Sequence, residues 1–432
     1  MSDAVPGRPA PRPSASRVRV TPTTLADGRE FFYYDDSPPY ATGAKTRRLD
    51  DPRPLADRAA PFPDPATGEM TAPTGPEMRL DVLTGEWIPM ASHRMNRTFL
   101  PARDSCPLCP AQAGAAYQDG EIPDTDYDVV VFENRFPSYW RAPGQDVYDQ
   151  WRQDGEPLWP VRPAAGRCEV ICFSPDHSAS VASLDTRRMR TVIEAWADRT
   201  EALMAIDGIV QVYPFENRGV EIGVTIPHPH GQIYGYPVVT PKTQAMLRQA
   251  EAYHEVTGGP LLADVVAAEA RGPRVVAATE HWLAYVPEAA RWPVEFHLAP
   301  LRDVPDLPSL DEAERADLAV LYPRLLRAFD RFFPTGGAPL PYIAGWHQAP
   351  AEPALRPLAR LHLQAFSIRR AADKLKYLAG SESGMAAWIS DTTPERIADR
   401  LREALAEADA AWGVARAAAR AGGAAAREAG ND

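Results

Sequence analysis

From about residue 78 the chain alternates short apolar runs with longer amphipathic stretches, and the two periods ask for different elements. Strand-like runs rich in β-branched and aromatic residues cover 128–134 (DVVVFEN), 167–173 (RCEVICF) and 208–217 (GIVQVYPFEN), each of strand length. Between the last two, residues 186 to about 205 carry apolar positions at helical spacing, and Asp185 stands ready as the N-cap. The pattern predicts an α+β fold of antiparallel sheets with packed helices. Residues 1–75 are rich in Pro, Asp and Arg with only brief apolar stretches such as REFFYYDD, so an extended, partly disordered arm lying along the surface is expected there. From about 394 the pattern is helical again, and the Ala- and Arg-rich stretch 411–432 is expected to fray.

The pattern also repeats. RCEVICFSPDHSASVASLDTRRMRTVIEAW resembles VEFHLAPLRDVPDLPSLDEAERADLAVLY, with Ser-Leu-Asp at 183–185 recurring at 309–311 before a helix. Each copy closes on an H-x-[HQ] strand, which sets His228-Pro-His230 against His362-Leu-Gln364 and places Gln364 where the first copy has His230. Two pseudo-repeated halves follow, 76–258 and 259–410, with the chemistry kept in the first.

That chemistry centres on GVTIPHPHGQIYGYP. On an extended segment His228, His230 and Gln232 share one side. An imidazole of ordinary pKa has a free lone pair near neutral pH, so His230 can attack phosphorus if its other nitrogen is held as N–H. Pro229 stiffens the backbone beside it, Gly231 leaves room for a phosphate, and Gln232 can donate to a phosphate oxygen. A metal pair or an incidental surface pair is the alternative for a bare H-x-H. Upstream, Glu216, Asn217, Gly219, Gly223 and Thr225 suit the lining of an anion pocket.

The chain has 432 residues and a formal net charge of −12, which argues against a general nucleic-acid binder. No apolar run approaches the roughly 20 residues of a membrane span, and the first residues lack a signal-peptide core, so a cytoplasmic protein is expected. Four cysteines are too few for a disulfide scaffold. Cys106 and Cys109 form a C-x-x-C in which a proline follows each cysteine; this favours a zinc knuckle over a redox pair, with His177 and His228 the leading partners among nine histidines, although spacing alone leaves the set open. Cys168 and Cys172 share a strand face and are expected to be core thiols.

From about residue 83 to 405 the chain resembles galactose-1-phosphate uridylyltransferase, a two-domain branch of the histidine triad superfamily. The motifs LTGEWIPMASHRMNR, SCPLCP, VVFENRFPSY, RCEVICFSPDHS, FENRG through PHPHGQIYGYP, EHWLAYVP, AGWHQAP and KLKYLAGSE appear in the family's order. The resemblance implies ping-pong transfer of a uridylyl group from UDP-glucose to galactose 1-phosphate through a covalent adduct on His230, with Gln232 on a nonbridging phosphate oxygen. It implies phosphate contacts from Arg94, Arg97, Asn217, Gly223 and Thr225 and a uridine contact from Asn134. Lys376 and Glu382 would come from the partner subunit of a homodimer, and Cys106, Cys109, His177 and His228 would hold one structural zinc ion. Some members hold a second metal with a glutamate and three histidines; here His347 and His362 remain, Gln364 replaces the third histidine, and the glutamate position falls near Met246, so that metal is expected to be absent. Arg135 stands where an aspartate is common, and Ser381 replaces an aromatic. Glutamine rather than histidine at 232 separates transfer from the related hydrolases. The alternatives are a related nucleotide phosphorylase or adenylyltransferase acting on ADP-containing substrates, and a non-catalytic, zinc-stabilised nucleotide-binding protein.

Overall fold

Runs with period two become strands because alternate side chains can then be buried on one face of a sheet. The structure is a computed structural model that describes residues 18–51, 53, 55, 62–63, 67–71, 75–91, 94, 100–111, 120–141, 146–334 and 338–428. Within these, eleven strands form one antiparallel sheet. They are β1 (Arg19–Thr24), β2 (Glu30–Asp35), β3 (Val129–Glu133), β4 (Arg167–Cys172), β5 (Gln211–Arg218), β6 (His230–Tyr236), β7 (Val275–Ala278), β8 (Trp282–Tyr285), β9 (Val294–Pro300), β10 (Tyr342–His347) and β11 (His362–Ser367). Their order is β1-β2-β3-β4-β6-β5-β10-β11-β9-β8-β7. Strand β5 pairs with β10 at the centre, and the same succession of strands runs outward on both sides. The repeat read from the sequence is therefore a pair of half-sheets joined edge to edge.

The longer helices are α1 (Thr186–Met204), α2 (Pro241–Thr257), α3 (Leu261–Glu269), α4 (Glu312–Asp330) and α5 (Pro394–Glu428). The repeated Ser-Leu-Asp starts α1 and α4 in the same way. Asp185 accepts a hydrogen bond from the Arg188 amide, and Asp311 accepts one from Glu314 while the Glu314 side chain returns to the cap, satisfying amides that a helix start leaves bare. Both helices pack on one face of the sheet, where Ile171, Phe173, Val212, Ile233, Trp346 and Leu363 join Val192, Trp196, Leu318, Tyr322 and Leu325 in one core. Strand alternation then turns Val170, Cys172, His230 and Gln232 to the opposite face. The helices hold the sheet, and the other face is left for chemistry.

Residues 19–35 correct the expectation of a surface arm. Strands β1 and β2 form a hairpin that pairs with β3 and lengthens the main sheet. Phe31, Phe32, Tyr33 and Tyr34 are all buried, because β2 is covered on both faces. Arg29, fully buried, pairs with Asp27 and Glu121, and Arg188 on α1 reaches Asp36 and Asp128. Alternation is lost when both faces are covered, which is why a short aromatic run amid prolines read as irregular. The first 17 residues of the expected arm lie outside the described residues. Helix α5 continues to Glu428 and buries Ile397, Ala398, Leu401 and Ala404.

Candidate active site

The Cys106-Pro-Leu-Cys109 turn closes with the Cys109 amide donating to the Cys106 carbonyl at 3.3 Å. His177 follows β4 and His228 precedes β6, so two adjacent strands deliver the histidines to that turn. The ligand atoms of Cys106, Cys109, His177 and His228 all lie within 4.8 Å of one another, and Cys109 Sγ is 3.4 Å from His177 Nδ1 and 3.5 Å from His228 Nδ1. Tetrahedral ligands on zinc stand about 3.3–3.8 Å apart, given bond lengths of about 2.0–2.3 Å, so the donors fit such an ion. Burial, followed by neighbouring Cys106, pushes the Cys109 thiol up to about 12, and a thiolate pair here calls for a cation. Burial holds His228 down at about 4, a neutral ligand.

The far nitrogen of His228 is also fixed. Its Nε2 lies 2.9 Å from the Ser174 carbonyl and 2.9 Å from the Tyr127 hydroxyl, leaving Nδ1 for the metal. Tyr127 is fully buried and also reaches the Leu108 carbonyl at 3.1 Å. The sequence reading missed Tyr127, since a tyrosine before an apolar run carries no signal of its own.

The chain then turns at Pro229 and enters β6. His230 Nδ1 donates to the His228 carbonyl at 2.7 Å, so the tautomer is set and Nε2 keeps its lone pair. Burial lowers the ring's pKa, only partly offset by that carbonyl. His230 and Gln232 share a face as expected, whereas His228 sits in the bend before the strand and turns into the metal cluster. Gly231 needs a different reason from the one expected. A Cβ there would meet the Phe173 ring at 2.7 Å and the Phe215 carbonyl at 2.8 Å on the helix side, so glycine serves the packing behind the strand and not the approach of phosphate.

Gln232 lies opposite Val170 on β4 and Phe215 on β5. Its Oε1 accepts from the Tyr234 hydroxyl at 3.0 Å. Arg94 donates through one nitrogen to the Phe136 carbonyl at 3.1 Å and to Ser138 Oγ at 2.6 Å. Asn134 uses Oδ1 to accept the Phe136 amide at 2.8 Å, fixing the loop after β3. Asn217 lies in β5 one position beyond the Glu216–Gly231 pair, on the His230 side of the strand. Gly223 closes the Val220–Ile222 turn at φ 83°, and the Thr225 carbonyl accepts the Leu100 amide at 2.7 Å. Arg97 lies outside the described residues. Lys376 and Glu382 pair with each other at 2.9 Å, and Lys376 also donates to the Ile389 carbonyl at 2.5 Å.

The second half holds a related centre. His362 opens β11 as His230 opens β6, and its Nδ1 likewise donates to the carbonyl two residues earlier, that of Arg360, at 3.0 Å. His362 is therefore the counterpart of His230, and Gln364 of Gln232; the sequence pairing of His230 with Gln364 is corrected by two residues. Two-residue shifts preserve strand faces, so alternation could not separate the two alignments. The His362 ring stacks on His347 at 4.9 Å, its Nε2 takes a hydrogen bond from Gln364 at 3.1 Å, and Lys242 donates to Gln364 Oε1. Lys242 keeps an exposed stem while burial of its ammonium end lowers its pKa to about 8. This donor set does not fit a second metal, because an ammonium already lies among the histidines and Gln364 occupies the imidazole nitrogen that would bind. Lys242 and His297, which reaches Glu295 at 3.2 Å, were not anticipated from the sequence.

Residues 67–240 match the family model for the galactose-1-phosphate uridyl transferase N-terminal domain, and residues 246–413 match its C-terminal domain. A galactose-1-phosphate uridylyltransferase of Streptomyces lividans is 43% identical over 399 residues, covering 89% of this chain and 98% of its own. One from Thermotoga maritima is 32% identical, covering 76% of this chain and 98% of its own. A solved uridylyltransferase structure superposes with a TM-score of 0.66 at 32% identity, over 77% of this chain and 99% of its own. An ADP-glucose phosphorylase from Arabidopsis thaliana shares the fold at 24% identity and a TM-score of 0.57, over 76% of this chain and 99% of its own.

Proposed function

The chain belongs to the galactose-1-phosphate uridylyltransferase family, and from that premise we propose that it moves a uridylyl group from UDP-glucose to galactose 1-phosphate through His230. The observation that carries the residue assignment is the 2.7 Å bond from His230 Nδ1 to the His228 carbonyl. Nε2 attacks the α-phosphorus, a P–N bond forms, and the P–O bond to glucose 1-phosphate breaks. The uridylylated ring keeps its Nδ1 proton and is cationic, and the carbonyl dipole that oriented the free ring now stabilises that charge. Galactose 1-phosphate then attacks the same phosphorus and the imidazole leaves neutral. Both leaving and entering groups are phosphates that need no proton at neutral pH, so an amide at 232, which donates a hydrogen bond without giving up a proton, suits the reaction.

Arg94, Arg97, Asn217, Gly223, Thr225 and Gln232 are assigned to the phosphates and Asn134 to the uridine. Cys106, Cys109, His177 and His228 hold a zinc ion whose contribution when bound is structural, since four protein ligands leave no open position. Holding the His228 ring also places the His228 carbonyl. The two halves, 76–258 and 259–410, make one protomer, and two protomers form a homodimer in which Lys376 and Glu382 grip the hexose phosphate in the partner's site; exposed Tyr377, Met385 and Ile389 on the same loop offer apolar surface for that contact. No helix among the described residues is long and apolar enough to cross a membrane.

The test is intact-mass measurement of the purified chain after incubation with UDP-glucose. A uridylyl adduct on His230 that galactose 1-phosphate discharges is expected. Labelling by ADP-glucose instead would move the nucleotide, and discharge only by another phosphate would move the acceptor.

A further inference from the structure

We propose that Tyr234 is a positioning residue for uridylyl transfer, whose hydroxyl sets the Gln232 amide so that its NH2 end faces the phosphate beside His230. The inference rests on the uridylyl-transfer reading of His230 and adds to it a residue that no part of that reading requires.

The geometry is a short chain of polar groups on one face. Residues 230, 232 and 234 alternate to the same side of β6. An amide has a donor end and an acceptor end, and only the donor end helps a phosphate oxygen that gains charge in the transition state. Rotating Gln232 by half a turn would present its carbonyl to the phosphate and repel it. Which end faces out is decided by what holds the other. The Tyr234 hydroxyl lies 3.0 Å from Gln232 Oε1.

A hydroxyl can accept as well as donate, so its own polarity must be settled by its remaining neighbours. Arg94 approaches the phenol oxygen at 3.5 Å, long for a hydrogen bond, and a guanidinium has donors only. Ser138 Oγ accepts from that same Arg94 nitrogen at 2.6 Å. A guanidinium beside the phenol can address only its lone pairs, which leaves the single proton for Gln232, whose Oε1 can only accept. Burial pushes the Tyr234 hydroxyl up to about 12, so that proton is present throughout the neutral range. The second half shows what the pair does without such a tyrosine. There Gln364 gives Nε2 to His362 and Oε1 to Lys242, and Phe366 stands at the position of Tyr234. The amide points its donor at the histidine instead of outward.

The test is rapid-quench measurement of uridylyl-adduct formation on the full chain, using UDP-glucose alone. Tyr234→Phe keeps the ring and is expected to slow adduct formation about tenfold with melting behaviour unchanged, the scale of one hydrogen bond lost in the transition state. Gln232→Ala is expected to slow it about 10²-fold, and adding Tyr234→Phe to Gln232→Ala should slow it no further, since the hydroxyl acts only through the amide. UDP-glucose affinity, measured on His230→Gly with and without Tyr234→Phe, should stay within about twofold because the loss falls on the transition state. An unchanged rate for Tyr234→Phe, or the same tenfold penalty on the Gln232→Ala background, overturns the proposal. A wild-type chain that forms no adduct would instead sink the reading of His230, a result separate from a normal adduct whose rate ignores Tyr234.

Discussion

The inner strands of the two halves begin alike and end in different chemistry. His230 and His362 each open a strand, each donates Nδ1–H to the carbonyl two residues back, and each is followed at i+2 by glutamine. In the first half the ring is half-buried and, among the described residues, its hydrogen bond is made by Nδ1 alone; in the second it is 4% exposed and Nε2 is taken by Gln364. Gly231 lets β6 lie close to Phe173, while Leu363 fills the corresponding place with a buried side chain. A backbone motif therefore orients an imidazole in both halves. Whether that imidazole reacts depends on what occupies its other nitrogen.

The sharpest way to break the comparison is His230→Gly, which is expected to abolish the adduct and lower turnover by about 10⁴-fold or more. A phosphorus-labelled protein that survives this change would place the nucleophile elsewhere. Gln232→Ala should lower the rate of adduct formation by about 10²-fold, whereas Gln364→Ala, followed in the same assay, should change it by less than about threefold because it sits beside a histidine with no free nitrogen.

Cys106→Ser probes the support under the first centre. Bound zinc and melting temperature should fall together, since an ion held by four protein ligands contributes to folding directly; metal analysis and thermal unfolding that are both unchanged would remove Cys106 from the ligand set. The smallest expected effect concerns the second centre. Burial holds His362 at about 3, below the ordinary value near 6.5 of the unfolded chain. The unfolded state therefore binds the proton first as pH falls, so this residue's share of stability is complete above about pH 6.5 and is lost between there and about pH 3. Replacing it, as in His362→Asn, should flatten the dependence of unfolding free energy on pH in that window by up to about 1.4 kcal/mol per pH unit. Parallel denaturation curves for the two proteins from pH 6.5 downward would contradict the burial.

Much of the scaffold was legible because it is local. RCEVICF became Arg167–Cys172, GIVQVYPFEN became Gln211–Arg218, and the helix expected from 186 to about 205 runs Thr186–Met204. Asp185 and Asp311 cap the helices their spacing assigned to them. The hairpin of residues 19–35 was not legible, because its strands are recognised by pairing with β3 about a hundred positions later and by burial on both faces, which erases alternation. At the site, the four donors Cys106, Cys109, His177 and His228 were named from spacing and resemblance, and they converge. Tyr127 and Lys242 were not named, since each matters through a partner that only folding brings near; Tyr234 was not named because alternation gives it a face in common with Gln232 but not the hydrogen bond between them.

By itself the sequence determined the periodicities, the caps, the repeat and the residue types able to attack phosphorus or bind zinc, since each depends on neighbours within a few positions. The tertiary structure decided register and company. A strand can slip by two residues without moving a side chain to the other face, so only the paired sheet could show that His362, and not Gln364, answers to His230. Lys242 meets Gln364 across 122 positions of chain, and Arg94 approaches the Tyr234 hydroxyl across 140. A lone pair is left free or occupied by such distant groups, and that difference separates the reactive histidine from its buried twin.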